Sequence, residues 1–351
     1  MSESDAFVER AKASEYFSGA RLAEDLERFL LDHGEACREL GRKLRGAEHV
    51  YLVGSGGSLA TLQTAKYILD AVVTVPFEAL HGYDLTWRDP VRLGHGSVAF
   101  FSSYSGDTED TVAALRFARE RGARTVGVVR GGDSAIAREA DDVIEYGSAA
   151  IFEVPIAALT LVGAGLAEGS RREDAGAHVA SALSDLPGAV RTAVEQEAGR
   201  AEERARAFLS SRHLYVLGAG PLAPLAYKVA LTVVMENIRI GATWCDATEF
   251  RHGPAEALER SQLDALVLLG TDGSRAMSER TLAFLEEHGA RTQVIDAARY
   301  PKVHPLLTPL LLNSITQWFT VWSAILRGIT DLDERVFMGR QVLATEGHRW
   351  P

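Results

Sequence analysis

Three groups of side chains have the types and spacings that chemistry requires. The first is "SSYSGDTEDT", residues 102–111, which sets hydroxyl and acidic groups around one glycine between the apolar run "SVAFF" and the amphipathic "VAALRFARERG". A loop joining a strand to a helix aims unpaired main-chain N–H groups at whatever lies above it, and the helix dipole favours negative charge there. Ser103, Ser105 and Thr108 add O–H donors at short range, with Tyr104 among them. Ser58, in "GSGGS" with Gly56 and Gly57, is expected beside them at the carboxyl edge of a parallel sheet, where such folds bind ligands. A phosphate held by neutral donors needs no lysine. The competing use of the same residues is structural. Asp107 or Thr108 caps the helix and Glu109 and Asp110 favour its first turn, which accounts for neither Ser103 nor Ser105.

The second group is a single carboxylate. In "PLAPLAYKVALTVVMENIRI", Leu222, Leu225, Val229, Val233 and Ile240 mark one helical stripe, and Glu236 falls on it. A buried, unpaired carboxylate is costly and has a raised pKa, useful for proton transfer. A structural glutamate paired with Arg239, Lys228 or a neighbour's arginine is the alternative. The third is His252 in "EFRHGPAEAL", where Gly253 and Pro254 suit a turn into a new helix and leave the imidazole near a loop.

The elements that must position these groups come in two similar runs. "AEHVYLVGSGGSLATLQTAKYIL" around Tyr51 is echoed by "SRHLYVLGAGPLAPLAYKVALTV" around Tyr215, and "RGARTVGVV" by "HGARTQVID". Each run reads strand, glycine loop, long helix, strand, loop, helix, strand. The strands are continuous apolar runs, as when both faces of a sheet are covered. The expected fold is α/β, two tandem three-layer αβα domains, each with a parallel doubly wound sheet. The boundaries read as an N-terminal helical segment 1–46, a first domain 47–170, a helical connector 171–208, a second domain 209–330 and a tail 331–351. Neither "GSGGS" nor "GAGPLA" carries the full dinucleotide spacing or the acidic residue after the next strand, since Asp70 lies before that strand begins.

Composition narrows the classes. With 351 residues, 46% hydrophobic and 24% charged, the chain reads as soluble and globular. A formal charge of −11 argues against nucleic acid as a partner. "EQEAGRAEERARAF" mixes both signs at helical spacing and reads as a solvated helix face. Two distant cysteines, Cys37 and Cys245, fit a reducing cytoplasm without disulfides or a metal cluster. The polar, acidic start reads as no signal peptide. The uncharged stretch from Pro305 to Leu326 carries too many polar residues for lipid and reads as a buried helix.

"SSYSGDTEDT" after "GSGGS" resembles the signature of SIS (sugar isomerase) domains, which bind phosphosugars. The paired arrangement is similar to the isomerase part of glucosamine-6-phosphate synthase and, more closely, to the fructosamine-6-phosphate deglycases. The likeness runs from about Ala47 to Arg340 and includes "EFRHGP" and "RGITDLDERVFMGR". It implies phosphate binding by Ser58, Ser103, Ser105 and Thr108, a catalytic glutamate at Glu236 and a catalytic histidine at His252. It further implies a homodimer in which that histidine reaches the neighbouring subunit's site. No metal or organic cofactor is implied. The second run has "LGTDGSRAMSERT" in place of the hydroxyl motif, so one sugar site per chain is expected.

The departures from the family sort the options. No glutaminase domain precedes the first run. The synthase carries a lysine one turn before its glutamate, where this chain has Val233, and another in its tail, where the nearest residue is Arg340. Arginine stays protonated and forms no Schiff base, though Arg340 would suit a substrate carboxylate or phosphate. The leading expectation is a deglycase that converts a 6-phosphofructose–amine to glucose 6-phosphate and free amine. The alternatives are an aldose–ketose isomerase of a phosphosugar and a non-catalytic phosphosugar sensor. The contacts to the amine are sought in "HGYDLTW" and "EGHRWP".

Overall fold

The computed structural model describes residues 21–332 except Ala198, together with Ala6, Glu9, Glu334 and Val336. After a long helix α1 (Leu22–Lys43), the chain alternates strands and helices: β1 (His49–Gly54), α2 (Gly56–Val72), β2 (Phe77–Leu80), α3 (Gly82–Arg88), β3 (Ser97–Ser103), α4 (Glu109–Glu120), β4 (Arg124–Val129), α5 (Ala135–Glu139) and β5 (Asp142–Glu145). These five strands form one parallel sheet in the order β2-β1-β3-β4-β5. Strands β1 and β3 are buried along their whole length, as their unbroken apolar sequences require when helices cover both faces.

The next helices are α6 (Glu153–Ala167), α7 (Glu173–Ala182), α8 (Leu186–Glu197) and α9 (Ala201–Ala207). A second parallel sheet follows, in the order β7-β6-β8-β9, from β6 (His213–Gly218), β7 (Gly241–Asp246), β8 (Asp264–Leu269) and β9 (Arg291–Asp296). Its helices are α10 (Ala223–Lys228), continued as a π-helix over Val229–Ile238, then α11 (Arg275–Glu287) and α12 (Thr308–Leu326). The fold is therefore α/β with two parallel sheets. Nine strands are described where the apolar runs suggested six. The three additional strands, β2, β5 and β7, are edge strands with partly exposed residues, so they lack the apolar signal.

One continuous apolar core runs through both halves, from Leu52 and Phe100 under the first sheet to Leu225 and Leu310 under the second. Helix α12 is buried over nearly all of its length, as expected for the uncharged stretch, and no described helix is long and apolar enough to cross a membrane. Helix α1 crosses α6 at Gly41 and Gly165, where a Cβ at either position would stand 2.0–2.1 Å from the opposing main-chain oxygen. The charge run between the halves departs from the solvated reading. Glu197 and Arg204 are buried and paired, and Tyr300 donates to the second Glu197 oxygen at 2.6 Å. Nearby Glu203 and Arg206 remain exposed.

Candidate functional site

In a sheet ordered 2-1-3-4-5 the chain leaves β1 in one direction for β2 and returns on the other side for β3. The loops after β1 and β3 therefore splay apart at the carboxyl edge, leaving the crevice where such folds take ligands. Here Gly54 pairs with Ser102, so the loop 55–58 and the loop 103–108 leave the sheet side by side. Ser55, Gly57 and Ser58 from the first loop and Tyr104, Ser105 and Thr108 from the second line a cavity of about 320 Å³, within the size of small-molecule sites.

The hydroxyl loop is built by its own bonds. The buried Ser103 Oγ accepts the Gly106 N–H at 2.9 Å and pairs with the Thr108 hydroxyl at 2.7 Å and the Ser105 hydroxyl at 3.3 Å. Ser103 thus shapes the loop from beneath, while Ser105 and Thr108 face the cavity. Gly106 has φ +72°, and a Cβ there would sit 2.1 Å from Ser134 Oγ, so only glycine fits. Neither capping residue expected from sequence caps α4. Thr108 is its N-cap position but makes no side-chain cap bond, and Asp107 instead accepts the Ala135 N–H at the start of α5 (2.8 Å). The hydroxyls are therefore not consumed by helix capping. Ser55, which the sequence reading passed over, lines the cavity and is hydrogen-bonded to Asp110. Gly56 takes φ +54° at the start of α2 and does not itself line the cavity.

The opposite wall comes from the other half of the chain. Lys228, Thr232, Val233, Glu236 and Asn237 reach the cavity from α10 and its π-helical continuation, and Asn313 and Gln317 from α12. Glu236 therefore stands in the same cavity as the hydroxyl loop within a single chain. Its surroundings differ from the sequence expectation. The π-helix re-phases the stripe, leaving Val229 and Val233 buried but Glu236 exposed at the rim. Arg239, one suggested partner, pairs with Glu334 at 3.1 Å.

Behind the rim lies a polar relay that sequence reasoning missed. Lys228 Nζ donates to Asn313 Oδ1 (2.9 Å), and Asn313 Nδ2 donates to Glu153 Oε1 (2.6 Å). All three are buried and all three line the cavity. The Lys228 ammonium also lies 5.3 Å from the centre of the Phe152 ring, a cation–π contact. Burial pushes the Glu153 carboxyl above the usual carboxylate range, with Asn313 and Lys228 drawing it back. Burial lowers Lys228, opposed by the charges of Glu153 and Glu236. Both residues stand in otherwise apolar helical runs, "FEVPIAAL" and "PLAYKVAL". Opposite charges embedded in two apolar helices were the available signal.

His252 lies apart from this cavity. It is exposed on the turn after β7, where Arg251 Nε donates to its Nε2 at 3.0 Å. Residues of "HGYDLTW" form the start of α3 and do not line the cavity. Arg340 and "EGHRWP" lie outside the described residues. The described start of the tail is tied beside the site, since Asn237 Nδ2 donates to the Leu332 carbonyl at 2.8 Å. At the second sheet's equivalent crevice, Arg275 bridges the Gly270 carbonyl and Asp296, and the Asp272 carboxylate accepts the Ser274 N–H. A carboxylate fills the place where the first loop offers hydroxyls.

Residues 43–163 match the family model described as the SIS domain. The matched stretch holds the whole first sheet and the hydroxyl loop. The chain is 28% identical over 306 residues to a fructosamine deglycase of Bacillus subtilis, covering 84% of this chain and 90% of that protein. It is 29% identical over 299 residues to a fructoselysine 6-phosphate deglycase of Escherichia coli, covering 84% and 86%. Among solved structures, a Bacillus subtilis protein described as a candidate phosphosugar isomerase superposes with a TM-score of 0.75 at 26% identity, covering 91% of this chain and 97% of that one. The C-terminal domain of a Francisella tularensis glucosamine-fructose-6-phosphate aminotransferase shares the fold, with a TM-score of 0.76 at 19% identity over 90% and 96% of the two chains.

Proposed function

We propose that the chain is a phosphosugar-processing enzyme and, more narrowly, a deglycase acting on a 6-phosphofructose–amine adduct. One observation carries the reading: a loop of neutral donors suited to a phosphate and a rim carboxylate suited to proton transfer line one cavity of sugar size. The names of the deglycase relatives support the narrower reading.

In this reading the phosphate sits on Ser58, Ser105, Thr108 and the adjoining N–H groups, with Ser103 and Gly56 shaping the two loops and Gly57 and Tyr104 beside the phosphate. Glu236 takes a proton from C1 of the open-chain adduct and returns it at C2, while a second proton passes from the nitrogen to O2, so C2=O becomes an alcohol and C1–N becomes a C1=N imine. Water adds to C1 and the C–N bond breaks, giving glucose 6-phosphate and free amine. A positioned base of this kind contributes about 10²–10⁴-fold. His252 opens the ring or protonates the departing amine. Its exposure, away from its own chain's cavity, suits delivery into a second copy's site, so the active form is a homodimer.

The test is to incubate the purified protein with fructosamine 6-phosphates and assay glucose 6-phosphate, alongside Glu236→Gln. Release by the wild type, lost in the variant, is expected. Turnover surviving in Glu236→Gln refutes its role. Interconversion of simple phosphosugars without release from any adduct points to an isomerase.

A further inference from the structure

Two side chains of the cavity wall each carry one unspent acceptor atom. Glu153 is fully buried, yet while its Oε1 accepts from Asn313, its Oε2 has no hydrogen-bond partner. Gln317, 7% exposed, likewise has an unpartnered Oε1. Both side chains line the cavity. A buried oxygen left unbonded costs about 1–3 kcal/mol, and more when charged, so such atoms mark places where a ligand supplies the missing donor.

The charges around the cavity say which donor fits. Among the described lining residues, two carboxylates, Glu153 and Glu236, stand against one ammonium, Lys228, and the phosphate end is lined by uncharged donors. Lys228 is committed to Asn313 and the Phe152 ring. The relay runs in one sense, ammonium to amide oxygen and amide N–H to carboxylate, so Asn313 links the lysine to one Glu153 oxygen and leaves the other without a partner. Glu153 is also the first residue of α6, where the helix dipole favours its anion. A substrate that brings an anion to the hydroxyl loop and a cation with N–H donors to the opposite wall matches this layout. A sugar phosphate carrying only hydroxyls does not supply the cation.

We propose that Glu153 Oε2 is the receptor for the protonated secondary amine of a sugar–amine adduct, with Gln317 Oε1 as a second acceptor and Lys228–Asn313 as the brace that fixes Glu153. The inference rests on the deglycase reading and names what that reading lacked, the group that distinguishes an amine adduct from a plain ketose phosphate. A secondary ammonium has two N–H donors and the wall has two free acceptors. The same contact holds the nitrogen cationic while the C1 proton is removed, which withdraws electrons from C1 and assists Glu236. Glu153 is in this sense a specificity-determining residue for the reaction.

The experiment measures binding of three inert analogues: glucitol 6-phosphate, 1-amino-1-deoxyglucitol 6-phosphate and the N-acetyl form of the latter. Wild-type protein is expected to bind the amine about tenfold or more tighter than the other two, the scale of one charge-assisted hydrogen bond. Glu153→Gln is expected to erase that preference and leave glucitol 6-phosphate within about twofold of wild type, while Glu236→Gln keeps the preference. Equal wild-type affinity for amine, hydroxyl and amide overturns the proposal, as does a preference that survives in Glu153→Gln and vanishes in Glu236→Gln. Should Glu153→Gln fail to fold, the wild-type series with Glu236→Gln still decides. Failure of all three analogues to bind refutes the phosphosugar reading itself, and is distinguished from failure of the subsite by glucitol 6-phosphate, which tests the phosphate loop alone.

Discussion

Lys228→Met tests the relay as a structural device as well as a functional one. The substitution keeps an unbranched side chain of similar length, so packing changes little and the charge is what is lost. Glu153 would then remain fully buried with only Asn313 as partner, and Asn313 Oδ1 would lose its donor. Breaking a buried pair from one side costs about 3–5 kcal/mol, a large share of a stability of about 5–15 kcal/mol. The cost depends on pH because the orphaned carboxyl can protonate. A carboxyl whose folded pKa lies above its unfolded value favours the folded state below the unfolded value, and that stability is lost as pH rises through the folded value. Burial raises the Glu153 carboxyl, so Lys228→Met should cost less near pH 5 than near pH 8, with a slope of at most about 1.4 kcal/mol per pH unit. Adding Glu153→Gln removes the buried charge, so the double variant should return to within about 1–2 kcal/mol of wild type, the residue of one lost hydrogen bond. Urea unfolding followed by circular dichroism and tryptophan fluorescence at both pH values measures this, where the two transitions coincide. A cost that is the same at both pH values refutes the reasoning. So do single substitutions whose effects add within about 0.5 kcal/mol.

Three further outcomes are expected. Glu236→Gln should lower turnover about 100-fold or more while the Kd for glucitol 6-phosphate stays unchanged, because the proposed mechanism gives the residue a proton to move and no phosphate to hold. Gly106→Ala should cost about 2 kcal/mol or more and weaken phosphosugar binding, since its Cβ meets Ser134 in a left-handed conformation; Gly106→Ala with Ser134→Gly should recover part of the loss, and no recovery would mean the contact is not the cause. His304 and His49 are both held below the ordinary histidine range by burial, so stability present above pH about 6.5 is lost as pH falls through their folded values. The melting temperature should drop between pH 7 and 5, and less steeply in His304→Asn, which keeps an acceptor for the Leu306 N–H.

What was legible in the sequence follows burial. Strands such as β1, β3 and β4 are covered on both faces and read as unbroken apolar runs, so they declared themselves, as did the hydroxyl loop, whose side chains exceed what capping uses. The edge strands β2, β5 and β7 are half exposed and carry charges and polar groups, which erases the apolar signal. The pairing of Glu197 with Arg204 was hidden because a charge run at helical spacing looks the same whether it faces water or the Tyr300 hydroxyl. Glu153, Asn313 and Gln317 escaped for another reason: they join Lys228 in lining one cavity from α6 and α12, elements far from it in the chain.

The π-helix explains both the error over Glu236 and the shape of the site. At the α-helical step of about 100° per residue, Asn237, nine residues after Lys228, would point about half a turn away from it. Val233 would likewise turn about 140° away, while Glu236 would stay about 40° from Thr232. Winding with i→i+5 bonds brings residues five apart into line, so Lys228, Thr232, Val233, Glu236 and Asn237 all face one cavity. The looser winding is less well hydrogen-bonded than an α-helix, and it is offset by tertiary anchors at both ends: Lys228 to Asn313 at the start, Asn237 to the Leu332 carbonyl at the finish. A stripe at α-helical period therefore drew attention to Glu236 by setting it on a buried face, whereas the structure leaves it exposed in the cavity lining. The same departure brings Val233 and Asn237 into the cavity wall and leaves Glu236 exposed among the lining residues, while the buried carboxyl of the cavity belongs to Glu153.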